Sequence, residues 1–313
     1  MNKNELTIGH LSTAYHTNYV LMENEDLRKD LNIDIKWILF GTGPAMVKAF
    51  KEEKLDIGYM GLPPAIIAID QGVPIKCIAG GHVEGTVMVA KKKYYTIKQL
   101  DNDLYKVLNQ FRKKTIGVPS KGSIHDVILN YYLEKFNLSH EIFVKHYKQA
   151  EFIAKDMRDG ILEAGVGTPA LAVFASTILE SHLVIEPKYL WPNNPSYGIF
   201  AHEDLIQSNP EIISKFLFYH KKASDLLRNS PSLAAEKISK TFEIIDKNYA
   251  LAVLKISPKY CISLSEDYIN ATMDFVKTLY NLKYIKKLIN LDNIFDLEFV
   301  KKIHPESEHY SII

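Results

Sequence analysis

Along the first hundred residues the spacing of apolar side chains switches repeatedly between period two and helical period. Ile33, Ile35, Trp37 and Leu39 alternate with polar neighbours, which predicts a strand over 33–40. Met46, Val47, Ala49 and Phe50 then recur at helical spacing, which predicts a helix over 45–53 opened by Gly41-Thr42-Gly43-Pro44. The apolar run 55–60 is short enough for a buried strand. Gly61-Leu62-Pro63-Pro64 starts a helix over 65–70, and Gly72-Val73-Pro74 turns into a strand over 75–79. Ahead of these, 6–8 reads as a first strand, followed by a polar turn and an apolar stretch ending near Leu31. Strands alternating with helices predict βαβ units around a mostly parallel sheet.

The alternation stops and begins again. Residues 87–90 read as a strand leaving the first lobe, with Lys91-Lys92-Lys93 a solvated turn after it. Strands are expected at 115–119, 141–147, 163–166 and 183–185, with helices over 124–136, 150–158 and 170–179 between them. After Tyr197-Gly198-Ile199-Phe200 helical patterns dominate, with starts at Ser208-Asn209-Pro210-Glu211 and Ser230-Pro231-Ser232. The expected architecture is α/β with two lobes, each a mostly parallel sheet flanked by helices. Residues 1–88 and 195–313 form a discontinuous lobe 1, with the helical C-terminal part packed on it, and residues 89–194 form lobe 2.

Length agrees with this division, since 313 residues exceed what one compact core usually serves. The 38 basic and 37 acidic side chains nearly cancel, so charge gives no reason to expect nucleic acid or an anionic membrane as partner. No stretch approaches the roughly 20 apolar residues of a membrane span. Cys77 and Cys261 have neither metal nor redox spacing, and Cys77 reads as a buried thiol in a strand. The start, Met1-Asn2-Lys3-Asn4-Glu5-Leu6, runs into a strand with no apolar signal region. Two readings follow: an extracytoplasmic protein whose signal segment was removed, or a cytoplasmic one.

Candidate chemistry gathers where strands enter helices, because ligands of open α/β sheets bind beyond the carboxyl ends of the strands. Four such junctions are Gly41-Thr42-Gly43-Pro44, Gly61-Leu62-Pro63-Pro64, Ser120-Lys121-Gly122-Ser123-Ile124-His125 and Gly167-Thr168-Pro169. Glycine admits close approach of a ligand, proline suits a first helical turn, and hydroxyls cap the helix or bond a ligand. With two junctions in each lobe, they predict a cleft between the lobes.

The ordered set of motifs resembles the type II periplasmic binding proteins that serve ABC transporters. The similarity is to the sulfonate/taurine/nitrate branch that includes binders of thiamine-pyrimidine precursors. It is carried by Phe40-Gly41-Thr42-Gly43, Leu55-Asp56-Ile57-Gly58, Gly72-Val73-Pro74-Ile75, Ile116-Gly117-Val118-Pro119, Ser123-Ile124-His125-Asp126, Asp159 to Ala164, Thr168-Pro169-Ala170-Leu171 and Ile294 to Val300. Three departures bear on the ligand. Leu62 stands where the branch usually has serine, Gly167 where a tryptophan often lies, and none of the four arginines falls in a junction loop. The last weakens the case for a small strong anion, which a bidentate arginine would often hold.

The resemblance implies a solute-binding protein that closes on a small organic molecule and is read by an ABC permease, acting as a monomer with no cofactor, metal or catalytic residue. Expected ligand contacts are His10, Ser12, Thr13 and Tyr15 of the first loop, Thr42, Gly43, Leu62, Pro63, His82, Ser120, Ser123, His125, Thr168 and Tyr197. For His82 and Glu84 a hinge role competes with ligand contact, for His125 helix capping, and for Tyr197 packing. A metal held by His10, His16, His82 and His125 is disfavoured by the lack of helical ligand spacing. Hydrolysis through Ser123 is disfavoured by the lack of a GxSxG turn. The rival class is an enzyme on the same fold, since relatives include cytoplasmic proteins that make the thiamine pyrimidine or act in menaquinone synthesis.

Overall fold

A computed structural model describes residues 4–148, 151–242 and 244–311. The chain runs β1 (Glu5–Leu11), α1 (Asn18–Leu21), α2 (Glu25–Leu31), β2 (Asp34–Phe40), α3 (Gly43–Lys51), β3 (Ile57–Met60), α4 (Leu62–Asp70) and β4 (Ile75–Val83). It then passes through β5 (Val87–Lys91), α5 (Leu104–Asn109), β6 (Thr115–Pro119), α6 (Ile124–Lys135), β7 (Phe143–Tyr147), α7 (Glu151–Arg158), β8 (Ala164–Gly167), α8 (Pro169–Ile178) and β9 (Ser181–Ile185). It returns in β10 (Pro195–His202) and ends in helices: α9 (Glu203–Ser208), α10 (Pro210–Asn229), α11 (Pro231–Thr241), α12 (Lys247–Ile256), α13 (Glu266–Asn281), α14 (Leu291–Ile294) and α15 (Glu298–Ile303).

Among the described residues ten strands make two five-stranded sheets, ordered β2-β1-β3-β10-β4 and β7-β6-β8-β5-β9. In each sheet one strand opposes the rest: β10 is antiparallel to β3 and β4, and β5 to β8 and β9. These are the two strands that follow a passage between sheets. β4 delivers the chain at its carboxyl end, and a link of residues 84–86 enters the second sheet from that same side, so β5 must run away from the gap. The link 186–194 does the same for β10. This geometry turns the carboxyl ends of both sets of parallel strands toward each other, and it is the two-lobed fold expected from the sequence.

Local details follow from capping chemistry. The apolar stretch before Leu31 is two helices, because the Asn24 side chain accepts the Leu27 N–H at 2.9 Å and starts α2 afresh. Pro sits in the first turn of α3, α4 and α8, where its missing N–H costs nothing. The expected helix start at Ala150 lies outside the described residues, and α7 is described from Glu151. Strand β2 is at the sheet edge, so its alternation is only half satisfied and Leu39 is exposed. The segment 92–114 lacks clear periodicity, yet it forms a short 3-10 turn and α5, whose cap Asp103 accepts the Lys106 N–H.

The C-terminal helices α13, α14 and α15 pack on the first sheet, and α10 reaches it through the bond from His220 to the Gly80 carbonyl. They also reach the second: α12 lies against α8, where Tyr249 OH donates to the Ala170 carbonyl at 3.1 Å. Cys77 and Cys261 are both buried free thiols.

Candidate functional site

A small cavity lies where the two sets of carboxyl ends meet. Leu11, Thr13, Tyr15 and His16 reach it from the loop after β1, Gly43 from the start of α3, and Gly61 and Pro64 from the start of α4. The second sheet contributes Ser123, Ile124 and His125 at the start of α6 and Thr168 before α8; Ser196 comes from β10. Four helix N-termini therefore point at one volume, each following a strand of a parallel set, and such ends favour negative or acceptor groups. The volume is about 50 Å³. Sites that hold an organic ligand run to roughly 300 Å³ or more, so the side chains lining this cavity must shift to seat one between the closed lobes. A larger depression of about 610 Å³, lined by Asn229, Ser232, Lys247 and Lys255 among others, lies on the outer side of α11 and α12. No strand end reaches it.

None of the lining residues is an Asp, Glu, Lys or Arg. Burial lowers the basicity of His125 to about 3, and that of His16 to well below the ordinary histidine value. Both rings are therefore neutral at pH 7. Burial raises the Tyr15 hydroxyl to about 12, and it shares a 2.8 Å hydrogen bond with Ser196 Oγ. Two buried polar atoms in the lining, Thr13 Oγ1 and His16 Nδ1, have no protein partner. An unpaired buried group of this kind costs about 1–3 kcal/mol, which a ligand's donor or acceptor would recover.

Beneath the cavity, His16 packs against Tyr197 with centroids 3.9 Å apart and ring planes tilted by 36°, and Tyr15 packs against His82 at 4.9 Å. His220 locks this floor. Its Nε2 donates to the Gly80 carbonyl at 2.8 Å, leaving Nδ1 to accept the Thr17 hydroxyl at 2.7 Å.

The candidates from the sequence divide accordingly. Thr13, Tyr15, Gly43, Ser123, His125 and Thr168 line the cavity. The others are held next to it by different work. His10 packs edge-on against Tyr19 and Trp37, and Ser12 Oγ donates to Glu151 on α7 at 2.7 Å. Thr42 accepts the Ser120 hydroxyl at 3.1 Å, a bond between the loops of opposite sheets. Leu62 and Pro63 are buried in the first turn of α4, between the lining residues Gly61 and Pro64. His82 Nε2 donates to the Ser257 carbonyl at 2.6 Å, and Tyr197 is fully buried under His16. His16 and Ser196 were not among the expected contacts. His16 belongs to a loop whose rings all look alike in sequence, and Ser196 lies on a strand that no local pattern aligns with the gap. His10, His16, His82 and His125 do not form a ligand cluster: His10, His82 and His125 each bond a local partner through a ring nitrogen.

The two passages between sheets are tied together. Glu84, with backbone φ of +59°, pairs with Lys259 at 2.9 Å and accepts the Asn193 N–H at 3.1 Å. Its own N–H donates to the Asn194 carbonyl at 2.8 Å. Glu84 therefore joins the links rather than facing the cavity. Across the gap, Asp126 of α6 is fully buried and accepts four hydrogen bonds: Gly122 N–H at 2.8 Å, Asn130 Nδ2 at 2.7 Å, His146 Nε2 at 2.8 Å and Tyr284 OH at 2.6 Å. The last comes from the loop after α13.

The NMT1-like family model matches residues 1–243. The chain belongs to the NMT1-like family. Solved structures similar to this member include the alkanesulfonate-binding protein SsuA from Xanthomonas axonopodis pv. citri bound to MOPS. It is 15% identical, with 94% of this chain and 99% of that chain covered and a TM-score of 0.78. The periplasmic aliphatic sulphonate binding protein SsuA from Escherichia coli is 16% identical over 94% and 92% of the two chains, with a TM-score of 0.77. The periplasmic nitrate-binding protein NrtA from Synechocystis is 9% identical over 97% and 89%, with a TM-score of 0.79. At these identities the likeness establishes the fold. No curated protein matches this NMT1-like chain significantly. Among the described residues no helix is long and apolar enough to cross a membrane.

Proposed function

We propose that this NMT1-like protein is the solute-binding component of an ABC importer, working outside the cytoplasmic membrane as a monomer. In this reading residues 1–88 with 195–313 and residues 89–194 are the two lobes, and a small organic molecule is captured between them. The observation that carries it is the convergence of helix N-termini from both sheets on one cavity that contains unpartnered Thr13 and His16 atoms. The proposed contacts are Thr13, Tyr15, Gly43, Ser123, His125 and Thr168, joined by His16, Gly61 and Ser196. With no lysine or arginine in the lining, a sulfonate-like or other acceptor group would be held by N–H groups, hydroxyls and neutral imidazoles.

Bonds such as Thr42 to Ser120 and Asp126 to Tyr284 exist only when the lobes are together, so they belong to the closed state. A ligand that touches both lobes shifts the population toward that state, and a permease reads the closed shape. Native mass spectrometry of freshly purified protein identifies the co-purified molecule, and small-angle scattering is then recorded with and without it. A smaller radius of gyration at saturation is expected. An unchanged radius with a tight binder overturns the hinge, and recovery of a chemically altered molecule would assign the chain to the enzymes of this fold instead.

A further inference from the structure

The C-terminal tail after α15 folds back across the segment that precedes α13, and three side chains far apart in sequence meet there. His304 Nε2 is 3.2 Å from Cys261 Sγ, His309 Nδ1 is 3.6 Å from the same sulfur, and the two nitrogens are 3.3 Å apart. Cys261 and His304 are buried and His309 is partly exposed. The cluster lies outside the cavity between the sheets.

These separations have the size of the edges of a metal tetrahedron. Zinc–sulfur bonds of about 2.3 Å and zinc–nitrogen bonds of about 2.0–2.1 Å give edges of about 3.5 Å for S–N and about 3.4 Å for N–N. The surroundings of His304 also fix where its proton sits. Its Nδ1 lies 3.0 Å from the Glu306 carbonyl, so Nδ1 carries the hydrogen and Nε2 turns its lone pair toward Cys261 and His309. That is the tautomer and the backing bond a ligating histidine needs. The Ser263 N–H, 3.4 Å from the sulfur, can donate to a thiolate. The two cations of this region are both committed: Arg228 to Asp225 at 2.6 Å and to the Tyr260 carbonyl at 2.8 Å, and Lys221 to Glu306, whose carboxylate lies 3.8 Å from His304 Nε2.

We propose that Cys261, His304 and His309 form a three-ligand site for a borderline divalent cation such as Zn2+, with the fourth position open to water on the exposed side of His309. Binding forms one metal–sulfur and two metal–nitrogen bonds, and the thiol proton leaves to solvent, one proton per ion. Burial raises the thiol above its ordinary value, so the sulfur stays protonated until a cation displaces that proton. The ion would staple the tail to the 260–263 segment. That segment bridges β4 at His82 and accepts the Gly80 N–H at Ile262.

The test uses the full chain, stripped of metal by a chelator and titrated with Co2+ alone. One equivalent should produce a thiolate-to-cobalt charge-transfer band and the intense d–d bands of a four-coordinate ion. Zn2+ should then displace it and raise Tm. Cys261→Ser should abolish the charge-transfer band. His309→Ala, the least buried ligand and so the gentlest to the fold, should weaken binding at least ten-fold. His140→Ala, on an exposed turn, should change nothing. Absence of the band in folded wild-type protein, its persistence in Cys261→Ser, or unchanged affinity in His309→Ala overturns the site. If Cys261→Ser does not fold, as judged by circular dichroism, His309→Ala decides alone.

Discussion

Replacing Tyr284 by Phe isolates the bond that joins the lobes at Asp126. The hydroxyl donates to Asp126 Oδ2 at 2.6 Å, and Asp126 keeps its other three donors when that hydroxyl is removed. A hydrogen bond to a charged group contributes about 1.5–3 kcal/mol. Because Tyr284 is only half-buried, the lower end, about 1.5 kcal/mol, is the appropriate figure. When the lobes part, water replaces both partners, so nearly all the loss falls on the closed form. Where the open form dominates without ligand, apparent affinity scales with the closing equilibrium, and about 1.5 kcal/mol corresponds to about a ten-fold rise in Kd. Calorimetric titration with the co-purified ligand measures this, with exposed Tyr280→Phe as control. A Kd within about twofold of wild type refutes the reasoning. If Tm nonetheless falls, the bond survives opening and is not part of closure.

Thr168→Ala should weaken ligand binding by about 1 kcal/mol and leave Tm unchanged, because its hydroxyl makes no cap bond; calorimetry and thermal melting check both halves. Ser123→Ala should lower both, since Ser123 Oγ accepts the Asp126 N–H and caps α6; loss of affinity without loss of Tm would contradict the cap. Gly85→Ala should lower Tm, because a Cβ there would fall 2.0 Å from Ser196 Oγ in the link between the sheets; an unchanged melt would contradict this packing. Folding stability should also drop as the pH is lowered from about 6.5 toward 4. Burial lowers His82 and His220 to about 4 and His125 to about 3, while their unfolded counterparts take up protons near 6.5. The unfolded state therefore binds more protons in that window, and each histidine removes about 1.4 kcal/mol per pH unit. Urea melts between pH 7 and 5 test it, and a flat profile would show that these rings are hydrated.

Local patterns in the chain were enough to establish where strands and helices alternate and which junctions open helices. Period-two and helical spacing, glycine and proline punctuation and hydroxyl caps are short-range properties that survive without tertiary context. The four junctions could be placed beyond strand ends for the same reason, because a βα turn is a local event. Which junction atoms face the gap was decided by packing. Thr42 and Thr168 look equivalent in sequence, yet Thr42 sits within reach of Ser120 and is spent on it, whereas Thr168 lines the cavity. Tyr15 and His16 likewise differ from His10 only in the direction the backbone takes after Leu11. Positive φ at Ala14 and Glu84 lies in residues that carry no glycine-like signal for it. The meeting of Cys261 with His304 and His309 depends on a tail folding back over more than forty residues of chain, a long-range contact that no spacing rule encodes. Short-range chemistry thus drew the lobes, and only long-range packing chose the side chains that work between and beside them.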